Sequence, residues 1–125
     1  MSEVDKGYPK QLYILPTDRC NLTCFFCMRR HLPMLAGGKS KMLRLEDLSK
    51  LANSIKRAEV IDVSGFGESF LHPQFEEILR YIYSLNPRKN LIQLITNGTL
   101  LSSQWAKLLS GHLASITISL NAASD

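Results

Sequence analysis

The sequence lacks the long apolar segment that a membrane-spanning helix requires. No apolar run approaches the roughly 20 residues that such a helix needs. The first ten residues, MSEVDKGYPK, mix acidic and basic side chains and contain no apolar signal region. Repeats and low-complexity tracts are also absent. We therefore expect a soluble, cytoplasmic chain with a flexible N-terminus over residues 1–10 and no membrane partner.

Strong charge of one sign is missing as well. Lys and Arg number 15 against 11 Asp and Glu, which gives a formal net charge of +4. This mild excess of positive charge is smaller than that of a basic tail that binds nucleic acid. Hydrophobic residues make up 45% of the 125 residues and charged residues 21%, a composition that excludes a disordered chain. The length fits one domain.

Cysteine is rare, and its three copies are crowded into Cys20-x3-Cys24-x2-Cys27. Scattered pairs would indicate the disulfides of a secreted protein, whereas this crowding indicates a metal or redox site. Thiolates favour iron–sulfur, zinc or copper(I) over magnesium and calcium. A cubane cluster and a structural zinc ion each usually take four ligands. Either a fourth protein ligand closes the site, or one metal position stays open for chemistry.

Runs typical of β-strands alternate with helical patterns, which predicts an α/β fold with a parallel sheet. Four runs rich in Ile, Val and Leu are predicted strands: Leu12–Leu15, Val60–Ser64, Leu91–Thr96 and Ile116–Leu120. Three stretches with helical apolar spacing lie between or beside them: Leu45 to Arg57, Pro73 to Asn86, with Pro73 suited to the first helical position, and about Ser102 to Ser110. Residues 31–41 are a predicted loop.

Polar side chains occupy one face of the later strands. With a period of two, polar residues oppose the apolar ones at these positions: Asp62, Ser64, Gln93, Asn97, Thr117, Ser119 and Asn121. This pattern predicts a polar lumen inside a wide or incomplete barrel. The alternative is a doubly wound sheet whose polar side chains satisfy one another. A complete barrel typically needs about 250 residues, so the chain is expected to be an N-terminal half that stops after the fourth strand.

Four motifs, in order, resemble those of the radical S-adenosylmethionine (radical SAM) enzymes. The first is the CxxxCxxC spacing within LPTDRCNLTCFFC. It is followed by VSGFGESFLHPQF, ITNGTLLS and ISLNAASD, each on a predicted strand end. Where the commonest form of the second motif has proline after the glutamate, this chain has Ser69. The resemblance covers the chain from about Leu12 and implies the N-terminal part of a partial (β/α)6 TIM-like barrel.

The resemblance also implies cofactors, site residues and partners. Cys20, Cys24 and Cys27 would bind a 4Fe-4S cluster whose fourth iron binds S-adenosylmethionine (SAM), and reductive cleavage of SAM would give a 5'-deoxyadenosyl radical. The residues expected to bind SAM are Phe26, Gly65, Gly67, Glu68, Thr96, Asn97, Ser119 and Asn121. The glycines of GFGE are expected to let the backbone approach the ligand. A reducing donor such as flavodoxin or ferredoxin is implied, and a peptide or protein is one candidate substrate.

Two other interpretations of the cysteines stay open at this point. Cys27-x3-His31 could complete a Cys3His zinc module that contacts nucleic acid, with basic residues nearby. Alternatively, Cys24-Phe25-Phe26-Cys27 could be a thioredoxin-like dithiol, but such a motif precedes a helix, and the helical pattern begins only at Leu45. We favour the cluster and expect the chain to be incomplete as a catalyst.

Overall fold

The computed structural model describes residues 7–31 and 41–120, which form an α/β fold around one parallel sheet. The four strands are β1 (Gln11–Tyr13), β2 (Val60–Asp62), β3 (Ile92–Thr96) and β4 (Leu113–Ile118). They lie in the order β1-β2-β3-β4, and every neighbouring pair is parallel. The pairing of β3 with β4 contains a register shift at Ile92/Gln93.

Short helices alternate with these strands. They are α1 (Met28–His31), α2 (Leu45–Leu48), α3 (Ala52–Arg57), α4 (Phe75–Leu85) and α5 (Ser103–Leu109), with 3-10 turns at Ser49–Leu51 and Ser69–Leu71. None of the helices in the described ranges has the length and apolar content to cross a membrane. Asp47 of α2 accepts hydrogen bonds from the Arg44 guanidinium and from the Lys50 ammonium group. These bonds, of which the one from Arg44 has the larger effect, lower the pKa of Asp47 to about 2.

The helices cover one face of the sheet, as a barrel requires. Ile61 and Val63 of the β2 region and Leu94 of β3 are fully or almost fully buried in the core formed with the helices. On the opposite face, Tyr13 and Ile95 are at least half exposed. A sheet with sequential parallel strands places right-handed crossover helices on one side, whereas a doubly wound sheet reverses its order and is covered on both faces. The partial TIM-like barrel is therefore confirmed.

The predicted strands are present, with shifted ends. β1 begins one residue before its predicted start at Leu12, whereas β2 and β3 lie within their predicted runs. Pairing continues beyond β1 and β2 through backbone bonds from the Ile14 N–H to the Asp62 carbonyl at 2.8 Å and from the Val63 N–H to the Gln93 carbonyl at 3.0 Å. β4 begins three residues before the predicted start at Ile116. Ala114 and Ser115 have weak strand propensity, but Leu113 pairs with Ile92 and Ser115 with Gln93, and Ala114 lies at the register shift between these two pairs.

The helix predictions were wrong in three details. The predicted Leu45 to Arg57 helix is divided by the 3-10 turn. Pro73 does not occupy the first helical position, because α4 starts two residues later, where the His72 ring has already accepted the Gln74 N–H at 3.0 Å. The four-residue helix α1 directly follows Cys27 in a stretch without helical periodicity.

Candidate functional site

A cleft of about 210 Å³ lies at the carboxyl ends of the four strands. In α/β folds this edge is where ligands bind. The cleft is lined by every predicted site residue that the structure describes: Cys20, Phe26, Cys24, Cys27, Gly65, Gly67, Glu68, Thr96, Asn97 and Ser119. Leu22, Phe66 and Ile95 complete the lining. Asn121, the remaining predicted member, lies outside the described residues.

The segment that leads to the cysteines is anchored at its base. The Asp18 N–H donates to the Lys41 carbonyl at 3.2 Å, and the Lys41 N–H donates to the Asp18 carboxylate at 2.9 Å. Thr17 and Met42 form an antiparallel bridge, and the Thr17 hydroxyl accepts the Arg19 N–H at 3.1 Å. The segment between Asp18 and Lys41 therefore begins and ends at the same point, beyond the end of β1.

The GFGE turn after β2 packs against the chain just before Cys20. A Cβ atom on Gly67 would lie 2.5 Å from the Thr17 carbonyl oxygen and closer still to that of Arg19. The neighbouring Glu68 N–H donates to the Arg19 carbonyl at 2.6 Å. The lack of a side chain at Gly67 thus permits contact between two backbone segments, in addition to the close ligand approach that the sequence suggested. At Gly65 the corresponding neighbour is only the Leu15 side chain, at 2.9 Å.

Glu68 is buried beneath the cleft, where β3 holds its carboxylate. The Thr96 hydroxyl donates to Oε1 at 2.7 Å, and the Asn97 backbone N–H donates to Oε2 at 2.8 Å. The phase of β3 predicts that Thr96 points away from the lumen, and it is indeed 2% exposed. Thr96 reaches the site at the strand end, where it orients the Glu68 side chain.

Ser69, which stands where proline is common in this motif, stabilises the turn. Its side chain is buried, and the hydroxyl donates to the Val63 carbonyl at 2.6 Å. The Ser69–Leu71 turn then brings Phe70 into the core. A proline could not make this bond, so the serine supplies a different connection between the motif and β2.

Two side chains beside the cysteines were missed by the sequence analysis. Asn21 and Thr99 form hydrogen bonds with each other and with the Asn97 amide. The Asn97 Nδ2 atom also lies 3.9 Å from the Cys20 sulfur. The only sequence signal was the polar character of these residues next to a cysteine and in an Asn-Gly turn, which is common in exposed turns without any ligand.

The three cysteines are free and partly buried, with a turn between the last two. The Cys27 N–H donates to the Cys24 carbonyl at 3.1 Å. Phe26 is 55% exposed and lines the cleft, whereas Phe25 is 83% exposed and does not line it. Within residues 7–31 and 41–120, no three Cys, His, Asp or Glu side chains are already gathered into a metal-binding group.

Two structural observations bear on the alternative interpretations of the cysteines, the zinc module with His31 and the thioredoxin-like dithiol. The His31 Nε2 atom lies 3.3 Å from the Phe25 carbonyl oxygen, so the ring interacts with the backbone of the cysteine segment. A helix directly follows Cys27, contrary to the expectation that the first helix begins at Leu45, because α1 starts at Met28. This helix was not predictable from periodicity because four residues make little more than one turn.

Polar groups continue below the cleft along the sheet face that lies opposite the helices. The Asp62 carboxylate accepts hydrogen bonds from both the backbone N–H and the hydroxyl of Ser64. The Gln11 side chain donates to that of Gln93 at 3.4 Å. Tyr13, Leu15 and Ile95 add apolar surface to this face, and each is about half exposed or more. The lumen is therefore mixed in character rather than uniformly polar.

Comparisons with known proteins agree with this architecture. The chain is 34% identical over 121 residues to the FeMo cofactor biosynthesis protein NifB of Methanocaldococcus infernus, covering 90% of this chain and 39% of the relative. It is 33% identical over 117 residues to a GTP 3',8-cyclase of Rhodopirellula baltica, covering 88% of this chain and 31% of the relative. The chain thus spans less than half of these relatives.

A solved structure and a family model complete the comparison. The crystal structure of BtrN in complex with AdoMet and 2-DOIA superposes with a TM-score of 0.71 at 16% identity, covering 93% of this chain and 47% of BtrN, which supports the shared fold. The family model of the radical SAM superfamily matches residues 14–125. The chain therefore belongs to the radical SAM superfamily.

Proposed function

We propose that the cleft binds a 4Fe-4S cluster and SAM as part of a radical SAM enzyme. The observation that carries the proposal is that three cysteines from one segment share a single cleft with the ends of β2, β3 and β4. Motifs separated by up to about 100 residues in the chain supply this lining. Such convergence at the carboxyl edge of a parallel sheet is typical of a ligand site.

The chemistry of the donor set fits the proposed cluster. Cys20, Cys24 and Cys27 are unpaired thiols, and thiolates are the usual ligands of iron–sulfur clusters. Three cysteine ligands would leave one iron of such a cluster available to SAM. With the cluster held by these cysteines and with SAM bound, the chemistry supplied would be one-electron reductive cleavage of SAM, for hydrogen abstraction from a substrate.

The surrounding residues would bind and orient SAM. The Glu68 carboxylate, held by Thr96 and the Asn97 backbone, is suited to attract the methionine ammonium group. Phe26 offers an exposed ring for the adenine. Ser119 is held at the cleft because its N–H donates to the Thr96 carbonyl at 2.8 Å, and its hydroxyl is proposed to contact the ribose. That Asn121 contributes to the contacts with the SAM ribose and carboxylate stays a prediction.

The sheet face opposite the helices would receive the substrate. Asp62, Gln93 and Thr117 offer polar contacts, and Tyr13 and Ile95 offer apolar ones. Because relatives with different names match at nearly equal identity, the comparisons support the superfamily without favouring one reaction. A peptide or protein substrate, a flavodoxin or ferredoxin as electron donor, and a cytoplasmic location stay predictions.

Anaerobic reconstitution of the 125-residue chain with iron and sulfide tests the proposal. We expect a brown protein with the visible absorption of an iron–sulfur cluster, and added SAM should change the electron paramagnetic resonance (EPR) spectrum of the reduced cluster. Cys24→Ala should abolish the cluster. His31→Ala, the matched control, should retain it. A colourless protein that binds stoichiometric zinc and loses it on His31→Ala would instead support the zinc module.

Release of 5'-deoxyadenosine from the same reconstituted chain tests its completeness. We expect little or no multiple turnover, because the four described strands leave the lumen open beside β4. Dithionite can replace the protein donor in this measurement, so a missing partner does not affect the result. Robust multiple turnover would show that the chain is a complete catalyst for SAM cleavage.

A further inference from the structure

A ring of three hydrogen-bonded side chains joins the cysteine segment to the end of β3. The Asn97 amide donates to Asn21 Oδ1 at 2.8 Å, and the Asn21 amide donates to Thr99 Oγ1 at 2.8 Å. The Thr99 hydroxyl then donates to Asn97 Oδ1 at 2.7 Å, which closes the ring. Each group both donates and accepts, so the bonds polarise and strengthen one another.

A backbone group fixes the direction of this ring. The Thr99 N–H donates to Asn97 Oδ1 at 3.0 Å, and a backbone N–H cannot accept. The oxygen of the Asn97 amide must therefore face Thr99, and its nitrogen must face Asn21. This same nitrogen lies 3.9 Å from the Cys20 sulfur. One of its two hydrogens is used by Asn21, which leaves the second for the sulfur.

We propose that the ring of Asn21, Asn97 and Thr99 holds Cys20 against β3 and that Asn97 donates a hydrogen bond to the Cys20 sulfur. Asn97 is then a positioning residue for a cluster ligand, and its side chain is already engaged rather than free to contact SAM. The inference rests on the proposed function, because it assigns this role toward the cluster that Cys20 would bind.

An N–H donor at this sulfur has a definite electrostatic effect. Reduction adds negative charge to the cluster and its thiolate ligands, and the N–H dipole stabilises that charge. The donor therefore raises the reduction potential. The anchored position of Asn97 favours this role, because its backbone N–H is bound to the buried Glu68 carboxylate.

The reduction potential of the reconstituted chain, titrated with EPR detection, tests the proposal. Asn97→Leu should shift the potential to more negative values by the equivalent of about a tenfold change in the one-electron equilibrium, about 59 mV. Thr99→Val, the matched control, opens the ring but retains the Asn97 donor, and it should shift the potential by less than half as much. Equal shifts in the two variants, or no shift in Asn97→Leu, would overturn the proposal.

A second measurement uses the metal-free chain and so separates this inference from the proposed function. In nuclear magnetic resonance spectra, Thr99→Val should move the side-chain amide signals of both Asn21 and Asn97. Signals that stay in place would overturn the ring even if the wild type binds a cluster. A wild type that shows the ring but takes up no cluster would refute the proposed function and, with it, the role assigned to Asn97.

Discussion

At the scale of single residues, Gly67 gives the sharpest steric test. A methyl group there would overlap the carbonyl oxygens of Thr17 and Arg19, and backbone atoms cannot rotate away. We expect Gly67→Ala to lower the free energy of unfolding by about 3 kcal/mol, the upper end of typical overpacking costs. Chemical denaturation of the metal-free chain, followed by circular dichroism, measures this loss.

Gly65→Ala is the matched control for that substitution. Its added methyl group would meet only the Leu15 side chain, which is about half exposed and can change rotamer. A cost of about 1 kcal/mol or less is expected. If both alanine variants unfolded at the same denaturant concentration, the packing of the GFGE turn against residues 17–19 would be wrong.

The sequence identified residue types at the site more easily than their contacts. For Cys20 and Ser119 the signals were cysteine spacing and strand phase, and for Thr96 the motif resemblance, and these signals selected residues that all line the cleft. They could not show that Thr96 supports Glu68 or that Asn97 engages Asn21, because these bonds join residues 28 and 76 positions apart. Such contacts depend on the register of neighbouring strands, which local patterns do not encode.

At the scale of elements, three aromatic rings connect the GFGE turn to two helices. Phe70 of the 3-10 turn packs edge-on against Phe75 of α4, with ring centroids 5.4 Å apart. Trp105 of α5 lies 4.9 Å from Phe70 and 5.5 Å from Phe75. The shape of the turn below the cleft therefore depends on how α4 and α5 pack.

Phe75→Ala should disturb this connection measurably. Phe75 is fully buried, and removal of a buried Phe ring typically lowers the free energy of unfolding by about 3–5 kcal/mol. Trp105 is the chain's single tryptophan, so its fluorescence reports this cluster, and we expect its emission to shift to longer wavelength. Phe25→Ala, at an exposed position, is the control and should leave both quantities unchanged. An unshifted emission would contradict the packing described.

The elements were predictable where their periodicity was long. α4 buries Phe75, Ile78, Leu79 and Ile82 at helical spacing, as expected. Its end at Asn86 is also as expected, and that buried side chain donates to the Ile55 and Ala58 carbonyls at 2.8 and 2.9 Å. Short elements such as α1, and the early start of β4, arise from tertiary contacts rather than from local preference.

At the scale of the whole molecule, β4 leaves apolar side chains uncovered on the helix side of the sheet. Ile118 is 46% exposed and Leu120 is 87% exposed, although their phase predicted that both would face the core. β4 pairs only with β3 in the described sheet, so its other edge presents unpaired backbone groups. An apolar edge of this kind promotes association between chains.

We therefore expect the isolated 125-residue chain to self-associate as its concentration rises. Ile118→Lys should reduce this association severalfold, because a charge on an apolar edge opposes pairing. Thr117 lies on the opposite face of β4 from Ile118, so Thr117→Lys should reduce the association less. Sedimentation velocity measures both. A wild-type chain that remains monomeric at high concentration, or equal effects of the two lysines, would refute this expectation.

The hydrogen bonds between Asp18 and Lys41 hold together the two ends of the segment that carries the cysteines. Since both ends of the intervening segment meet there, residues can be inserted or removed between them at a small entropic cost and without displacing a strand. The three cysteines thus belong to a segment whose two ends are held together beside the sheet. The length of this segment can therefore change while the four strands keep their register.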